Sequence, residues 1–262
     1  MIDSHCHLTD PRLLGQLDDV LARAREANVT RIITIGTNPA DAARAIDVCR
    51  GRENVRCAIG VHPNYCHEVD EAELPRIAEM QSHASVVALG EMGLDYHYDF
   101  ADRARQRRFF ERQLGLAAEL KRPVVIHCRE AANDTLAVMK EFPTVPAVFH
   151  CFTGTVDEGL RVLEQGYLLG FTGVVTFKNS DELRALVKRT PRDRMLVETD
   201  APYLSPEPVR KQRVNEPSFV VHTAAVIARM LDVDVEEVDR FTTENVERFF
   251  TWHGRPVRPR GV

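Results

Sequence analysis

The chain has 262 residues, of which 44% are hydrophobic and 28% are charged, a balance that supports one large core and does not indicate disorder. The formal net charge of −5 argues against a protein that coats nucleic acid, so any contact with nucleic acid is expected to be local. No apolar run approaches the roughly 18 residues that cross a bilayer, and residues 1–10 lack the basic and apolar regions of a signal peptide. We therefore expect a cytoplasmic protein with no membrane partner.

Short apolar runs rich in β-branched residues alternate with amphipathic segments along the chain. The predicted strands are residues 1–2, 31–36, 55–61, 86–90, 123–126, 145–149, 167–171 and 195–197. Helices are predicted at 13–28, 102–121, 130–142, 156–165 and 180–189, with further helices within 216–252 and a frayed end at 256–262. Strict alternation predicts parallel strands. Eight such units in this length predict an α/β protein, a single-domain (β/α)₈ TIM barrel over residues 1–262.

Ionisable side chains stand at the ends of the predicted strands. His5 and His7 follow the first strand, and their spacing of two places both imidazoles on one face. Each of four later apolar runs is followed by a further metal-binding residue type, namely Glu91, His127, His150 and Asp200. Such groups are costly at the end of an apolar strand unless they are paired or bind a metal. Because barrel active sites lie at the carboxyl ends of the strands, these six residues predict a metal centre there.

These ligands exceed the three that a single catalytic zinc takes from protein, so the sequence favours two divalent metal ions bridged by Glu91. Oxygen ligands suit Mg²⁺ and Mn²⁺, and the imidazoles also suit Zn²⁺. Two ions can polarise a phosphoryl oxygen, activate a water and stabilise the leaving oxygen, which suits phosphoester hydrolysis. Asp200 is a candidate ligand, a candidate proton acceptor for that water, or both. A helix cap is the alternative role for Asp200.

Other residues are candidates for contact with the substrate. His62 ends the third predicted strand and could reach substrate or water, the alternative being a loop histidine. Local positive charge for phosphate groups is available from Arg129, Lys178, Arg210, Lys211 and Arg213, unless these form only a solvated face. Bases could stack on Tyr96, Tyr98, Phe152 and Tyr203, although core packing is the more common use of aromatic residues.

The chain has six cysteines and no C-x-x-C pair, which favours reduced thiols. Cys6, Cys128 and Cys151 each follow a predicted histidine ligand. Alternation along a strand points these three side chains away from the site, towards the helices. We therefore expect them to be packing residues, not nucleophiles.

Eight motifs in this order resemble the TatD family of metal-dependent deoxyribonucleases, within the amidohydrolase superfamily. They are DSHCHL (3–8), GVHP (60–63), GEMGLDY (90–96), PVVIHCR (123–129), FHCFTG (149–154), TGVVTFKN (172–179), VETDAPYL (197–204) and NEP (215–217). The resemblance covers almost the whole chain. It implies one metal at His5, His7, Glu91 and Asp200 and a second at Glu91, His127 and His150. It also implies Mg²⁺-supported removal of nucleotides from the 3′ end of DNA, in the cytoplasm.

Two segments depart from the family pattern on the expected substrate side. Asn64 stands where the family often has a second histidine after GVHP, and residues 209–214 lack the glycine that often precedes NEP. The leading hypothesis is therefore a two-metal exonuclease acting on single-stranded DNA ends, without an obligate protein partner. A hydrolase of small amides, lactones or phosphoesters would use the same ligands. An inactive metal-binding or partner-binding barrel is disfavoured because no ligand position is lost.

Overall fold

The computed structural model describes residues 1–250 and 252, and the frayed end predicted at 256–262 lies outside the described residues. Eight strands form one sheet in which each is parallel to the next in chain order. They are β1 (Ile2–Cys6), β2 (Arg31–Gly36), β3 (Val55–Ile59), β4 (Val86–Asp95), β5 (Val124–Arg129), β6 (Ala147–Phe149), β7 (Leu168–Phe171) and β8 (Met195–Val197). The sheet closes where the backbone N–H of Asp200 donates to His5 (2.9 Å) and that of His7 donates to Ala201 (2.7 Å). The predicted (β/α)₈ barrel is confirmed.

Ten α-helices connect and cover the strands within the described residues. They are α1 (Pro11–Leu14), α2 (Leu17–Glu26), α3 (Pro39–Cys49), α4 (Leu74–Met80), α5 (Arg103–Leu120), α6 (Ala132–Met139), α7 (Val156–Glu164), α8 (Asp181–Arg189), α9 (Val220–Leu231) and α10 (Val235–Phe249). The single helix predicted at 13–28 is two helices, because α1 starts behind the Asp10 cap with Pro11 and ends at Gly15. Across residues 1–250 and 252, no helix combines the length and apolar character needed to cross a membrane.

The hydrophobic core has two parts. The larger cluster joins one side of the strands to the helices, with Phe109 and Phe110 of α5 among its fully buried members. The smaller cluster includes Ile33 of β2 and Val125 of β5, together with Val246 and Phe249 of α10. Since the strands carry members of both clusters, their alternating side chains fill the barrel and the helix layer in turn. The open end of the barrel is left for polar side chains.

Three strands extend further than their apolar runs predict. His5 lies in β1, Glu91 in β4 and His127 in β5, whereas the sequence pattern placed each of them directly after its strand. The backbone ladder between β4 and β5 continues as far as the pair Asp95 and Arg129. Polar side chains interrupt the apolar pattern but leave the backbone hydrogen bonds intact. A prediction from hydropathy alone therefore ends these strands too early.

Of the three register irregularities in the sheet, two lie beside ligand residues, in β1 and β4. Residues 3–6 of β1 contain one residue more than the stretch of β2 that they pair with, and residues 89–92 of β4 contain one more than their partner stretch of β5. An extra residue reverses the alternation of side chains along a strand. Leu89 and Met92 consequently both pack with the helix-side cluster, and Glu91 between them faces the open end of the barrel.

Candidate metal centre

Glu91 is the point on which the predicted ligands converge. Its Oε1 lies 2.7 Å from His150 Nε2 and 2.8 Å from His127 Nδ1. Its Oε2 lies 3.4 Å from His5 Nε2. Only 1% of Glu91 is exposed, so this carboxylate takes its partners from protein or bound ions and not from bulk water. The Glu91 side chain of β4 therefore contacts residues from β1, from β5 and from the position after β6.

Asp200 forms the second acidic point of the site. Its Oδ1 lies 3.3 Å from His7 Nε2 and 3.7 Å from His5 Nε2. Asp200 itself has a left-handed backbone conformation, with φ 57°. Its N–H donates to the His5 carbonyl, which links β8 to the end of β1. Asp200 is therefore placed beside both histidines of the H-x-H pair.

The structure brings all six predicted ligands together and adds His62 to them. Three groups have candidate ligand atoms within 4.8 Å of one another: His5, His7 and Asp200; His5, Glu91 and His150; and His62, Glu91 and His127. His5 and Glu91 each belong to two of these groups. Imidazole nitrogen and carboxylate oxygen are the donors that first-row and hard divalent cations share. The candidate metal-binding groups thus form one continuous centre.

Unpaired buried nitrogen atoms support a metal at this position. Within the described residues, neither ring nitrogen of His5 has a hydrogen-bond partner, although the residue is fully buried, and His150 Nδ1 is also unpaired. The rings of His5 and His150 stack with centroids 3.8 Å apart. Leaving a buried polar atom without a partner is costly. A cation held by these nitrogens removes that cost, so the residues present fit a bound metal.

The protonation states of Glu91 and His5 suit a cation. Against burial, which lowers them, the neighbouring carboxylates raise the pKa values of His7, His127 and His150, so these three rings release protons when a metal binds. Burial raises the pKa of Glu91, but the surrounding imidazoles of His150, His62 and His127 bring it well below its usual value. Burial lowers the pKa of His5 to about 3, with the nearby His150 contributing. Metal binding requires deprotonated ligands. Glu91 is therefore an anion and His5 a neutral imidazole before any metal binds.

A buried carboxylate that the sequence reasoning assigned no role contacts one of the ligands. Asp95 Oδ2 lies 2.9 Å from His127 Nε2, and Oδ1 accepts the backbone N–H groups of His97 and Tyr98 at 3.0 Å each. Burial raises the pKa of Asp95, but its hydrogen bonds with His127 and these amides lower it to about 2. The only sequence signal was its place in the GEMGLDY motif.

Two more buried carboxylates, Glu198 and Asp3, link the ligand-bearing strands by hydrogen bonds. Glu198 accepts the N–H of Cys151 and, at 3.2 Å, the hydroxyl of Ser4, while Asp3 accepts the N–H of Thr199 at 2.9 Å. Burial raises the pKa of Glu198 to about 7 and that of Asp3 to about 8. Together they hold β1, the end of β6 and the end of β8 in a fixed relation.

The substrate candidates lie at different distances from the centre. His62 is part of it, with Nε2 3.3 Å from Glu91 Oε1. Arg129 lies at the rim, its guanidinium 4.9 Å from the centre of the Tyr98 ring. Lys178 is exposed in the segment before α8. Among the aromatic candidates, Phe152 is buried, so only the tyrosines present exposed surface.

The three cysteines beside the histidines differ in their surroundings. Cys6 belongs to the helix-side cluster and Cys128 packs against it, as predicted. Cys151 departs from the prediction, since its Sγ lies 3.4 Å from the Thr172 hydroxyl at the end of β7. Its backbone has φ 43°, which is outside the strand region and removes the alternation on which the prediction depended.

The chain is similar to known proteins over nearly its whole length. The family model described as TatD related DNase matches residues 2–251. An uncharacterized metal-dependent hydrolase of Bacillus subtilis, YabD, is 38% identical over 252 residues, covering 95% of this chain and 98% of the relative. A protein of Edwardsiella piscicida named 3′-5′ ssDNA/RNA exonuclease TatD is 37% identical, covering 95% and 99%. The crystal structure of YjjV, a TatD homologue from Escherichia coli K12, has a TM-score of 0.91 and 27% identity, covering 96% and 98%.

Proposed function

The chain belongs to the family of TatD-related DNases, and from this premise we propose that it is a 3′–5′ exonuclease that hydrolyses the phosphodiester bonds of single-stranded DNA with two divalent metal ions. As a member of this family it is a metal-dependent hydrolase. The 3′–5′ direction and the single-stranded substrate are taken from relatives such as the Edwardsiella protein, whose name includes RNA as well as DNA. The cytoplasm is the proposed compartment, as the sequence predicts, with no obligate protein partner.

The observation that carries the two-metal proposal is the orientation of Glu91. Its Oε1 faces His127 and His150, whereas its Oε2 faces His5. A carboxylate with its two oxygens turned to separate imidazole groups is suited to bridge two cations. We therefore assign one ion to His5, His7, Glu91 and Asp200, and the other to Glu91, His127 and His150. The proposed ions are Mg²⁺ or Mn²⁺, with Zn²⁺ as the alternative.

The residues of the chain supply acid–base chemistry and orientation. When bound, the two ions supply Lewis acidity for a phosphoryl oxygen and lower the pKa of the attacking water. Burial raises the pKa of Asp200, but its contact with His7 lowers it overall, so the carboxylate is ionised at neutral pH. An ionised carboxylate at the open end of the barrel can accept the proton of the attacking water. We propose that Asp200 Oδ1 has this role.

The rim of the barrel supports a nucleic-acid substrate. Of the seven exposed large hydrophobic side chains in the described residues, six follow the carboxyl ends of strands: Leu14, Tyr65, Tyr98, Phe100, Tyr203 and Leu204. The ring of Tyr203 meets that of His7 edge to face at 5.9 Å, and Arg12 lies 4.7 Å from its centre. Aromatic side chains beside a cationic group bind unpaired bases without regard to sequence. Duplex bases are not available for such stacking.

A cavity lies among the segments that follow β5, β6 and β7, and Cys128, next to the proposed ligand His127, is one of its lining residues. It measures about 520 Å³ and is lined by Arg129, Phe152 and Asn179, among other residues after β5, β6 and β7. Sites for small ligands fall in the range of about 300–1,000 Å³. Because Glu158 and Glu182 also line this cavity, we propose that Arg129 contacts a phosphate group at the rim beside Tyr98, and that Lys178, which is next to Asn179 in the chain, contacts the strand further out.

A cleavage assay with labelled oligonucleotides tests the proposal. The protein is incubated with Mg²⁺ or Mn²⁺ and with 5′-labelled single-stranded DNA, single-stranded RNA, blunt duplex or a 3′-blocked strand. We expect stepwise shortening of the DNA single strand, suppression by the 3′ block and by chelator, and little cleavage inside the duplex. Because phosphate contacts release counterions, activity is expected to fall as salt rises.

Matched variants identify the site in the same assay. His127→Ala is expected to abolish cleavage, since it removes a proposed ligand. Cys128→Ala, at the next residue, is the control and is expected to retain activity within several-fold because it leaves only a small cavity. Single strands that stay intact with both metals, in a preparation that hydrolyses a small ester or lactone, would replace the nuclease proposal with small-molecule hydrolysis.

A further inference from the structure

Two histidines approach the same oxygen of Glu91 through different ring nitrogens. His127 presents Nδ1 to Glu91 Oε1 at 2.8 Å, while its Nε2 lies 2.9 Å from Asp95 Oδ2. The other oxygen of Asp95 accepts two backbone N–H groups at 3.0 Å, as a carboxylate does. An ionised carboxylate only accepts hydrogen bonds. His127 Nε2 therefore carries a proton, and Nδ1 is the ring nitrogen left to bind a cation once the proton that it shares with Glu91 is released.

His62 has the reverse orientation. Its Nδ1 accepts the backbone N–H of Asn64 at 3.0 Å, which assigns a lone pair to Nδ1. A neutral imidazole with a lone pair on Nδ1 carries its proton on Nε2. That Nε2 is the atom that lies 3.3 Å from Glu91 Oε1. His62 therefore presents an N–H donor to the centre, and no lone pair is left there for a cation.

We propose that Asp95 is a positioning residue that keeps His127 a metal ligand, and that the Asn64 amide makes His62 a hydrogen-bond donor to a phosphoryl oxygen of the substrate, not a ligand. The substrate half of this inference rests on the proposed function; the ligand half rests only on the metal centre. Asn64 connects the two halves, since its side-chain amide also lies 3.4 Å from Asp95 Oδ2. His62, Glu91 and His127 are close enough to hold an ion. His62, however, presents an N–H donor to that position and so is not a ligand.

Calorimetric titration of Mn²⁺ into metal-free protein tests the ligand half without any nuclease measurement. His62→Asn keeps an acceptor for the Asn64 amide, but its NH₂ is too short to reach the position of Nε2. This variant is expected to bind the same number of ions with an affinity within about two-fold of the wild type. Asp95→Ala is expected to bind about 10–100-fold more weakly, the usual effect of removing the partner of a ligating histidine. Asp95→Asn, which keeps an oxygen for His127 Nε2–H, is expected to lie between them.

Control variants separate positioning from loss of structure. The Asp102 side chain caps α5 by accepting the Arg105 backbone N–H at 2.9 Å. Asp102→Ala therefore removes a carboxylate that accepts a backbone N–H, as Asp95→Ala does, but away from the metal centre. Its Mn²⁺ affinity is expected to match the wild type. Circular dichroism confirms that each variant is folded. An Asp95→Ala protein that is folded and binds Mn²⁺ like the wild type would overturn the positioning role.

The donor role of His62 has its own measurements. In nitrogen-15 NMR spectra of the Mg²⁺-loaded protein, His62 is expected to show the tautomer protonated at Nε2. His62→Asn is expected to lower kcat/KM about 10-fold or more, and His62→Gln, which restores a donor, is expected to recover part of it. Loss of one bound ion in His62→Asn, or a proton on Nδ1 of His62, would show that His62 is a ligand. If the wild type cleaves no DNA, the titration and the spectrum still decide the ligand assignment.

Discussion

Substitution of Glu91 by glutamine is the most direct test of the metal centre. The change keeps the shape of the side chain but removes a unit negative charge that lies 2.7–3.4 Å from His150, His127, His62 and His5. Unit charges about 4 Å apart interact by about 4 kcal/mol at an effective dielectric constant of 20. A factor of ten in affinity corresponds to about 1.4 kcal/mol, so we expect metal binding to weaken by about 10³-fold.

Two assays follow this change. Calorimetric titration with Mn²⁺ gives the affinity and the number of bound ions, and the oligonucleotide assay gives turnover, which is expected to fall by at least the same factor at limiting metal. Glu130→Gln is the matched control, because Glu130 is an exposed carboxylate at the rim that pairs with His97. A folded Glu91→Gln protein with wild-type affinity and wild-type turnover would refute the bridging role of Glu91.

Two further predictions concern stability. The metal-free protein is expected to lose thermal stability as pH rises from 6.5 to about 9. Burial lowers the pKa of His127, but its hydrogen bonds to carboxylates raise it overall from 6.5 to about 9. Burial raises the pKa of Asp3 from 3.8 to about 8. A pKa raised in the folded state contributes stability that is lost as pH rises through it, so a melting temperature that increases over this range would contradict the assignment. Gly170→Ala places a Cβ 2.5–2.7 Å from the buried Glu198 carboxylate and is expected to destabilise the fold by about 1–3 kcal/mol in urea unfolding. Gly115→Ala in α5, where nothing lies within 4 Å, is the control and is expected to be neutral or stabilising.

Much of the fold was predictable because the sequence signals for it are local. Residues 31–36 and 195–197 form strands with the predicted bounds, since β-branched apolar runs flanked by polar segments are typical of buried strands. The alternation of strand and helix then allows few arrangements for a chain of this length. Helices α3 and α4 are not among the predicted elements; α4 has only 7 residues, whereas α3 has 11 and nothing in the structure explains why its pattern was not recognised.

The six proposed ligands were also found by sequence reasoning, because their chemistry is unusual at the end of an apolar strand. His5 and Asp200 are nearly two hundred residues apart, yet each was recognised from its own surroundings. The partners of these ligands were not recognised. Asp95 contacts His127 across 32 residues of chain, and a carboxylate inside a glycine-containing motif carries no local sign of such a contact.

What the sequence by itself determined about this protein is its element order, its barrel class and the chemical types available for the site. Alternation also predicted that Cys6 faces away from its neighbouring histidines. What only the tertiary structure decided is how His5 and Glu91 are turned relative to the apolar residues that precede them in β1 and β4. A strand pattern has a period of two, so one extra residue turns every later side chain to the other face. The bulges at residues 3–6 of β1 and 89–92 of β4 each contain such an extra residue. They exist only where β1 pairs with β2 and β4 pairs with β5, which are strands separated from them in the sequence. The direction in which His5 and Glu91 point is therefore set by the pairing of neighbouring strands.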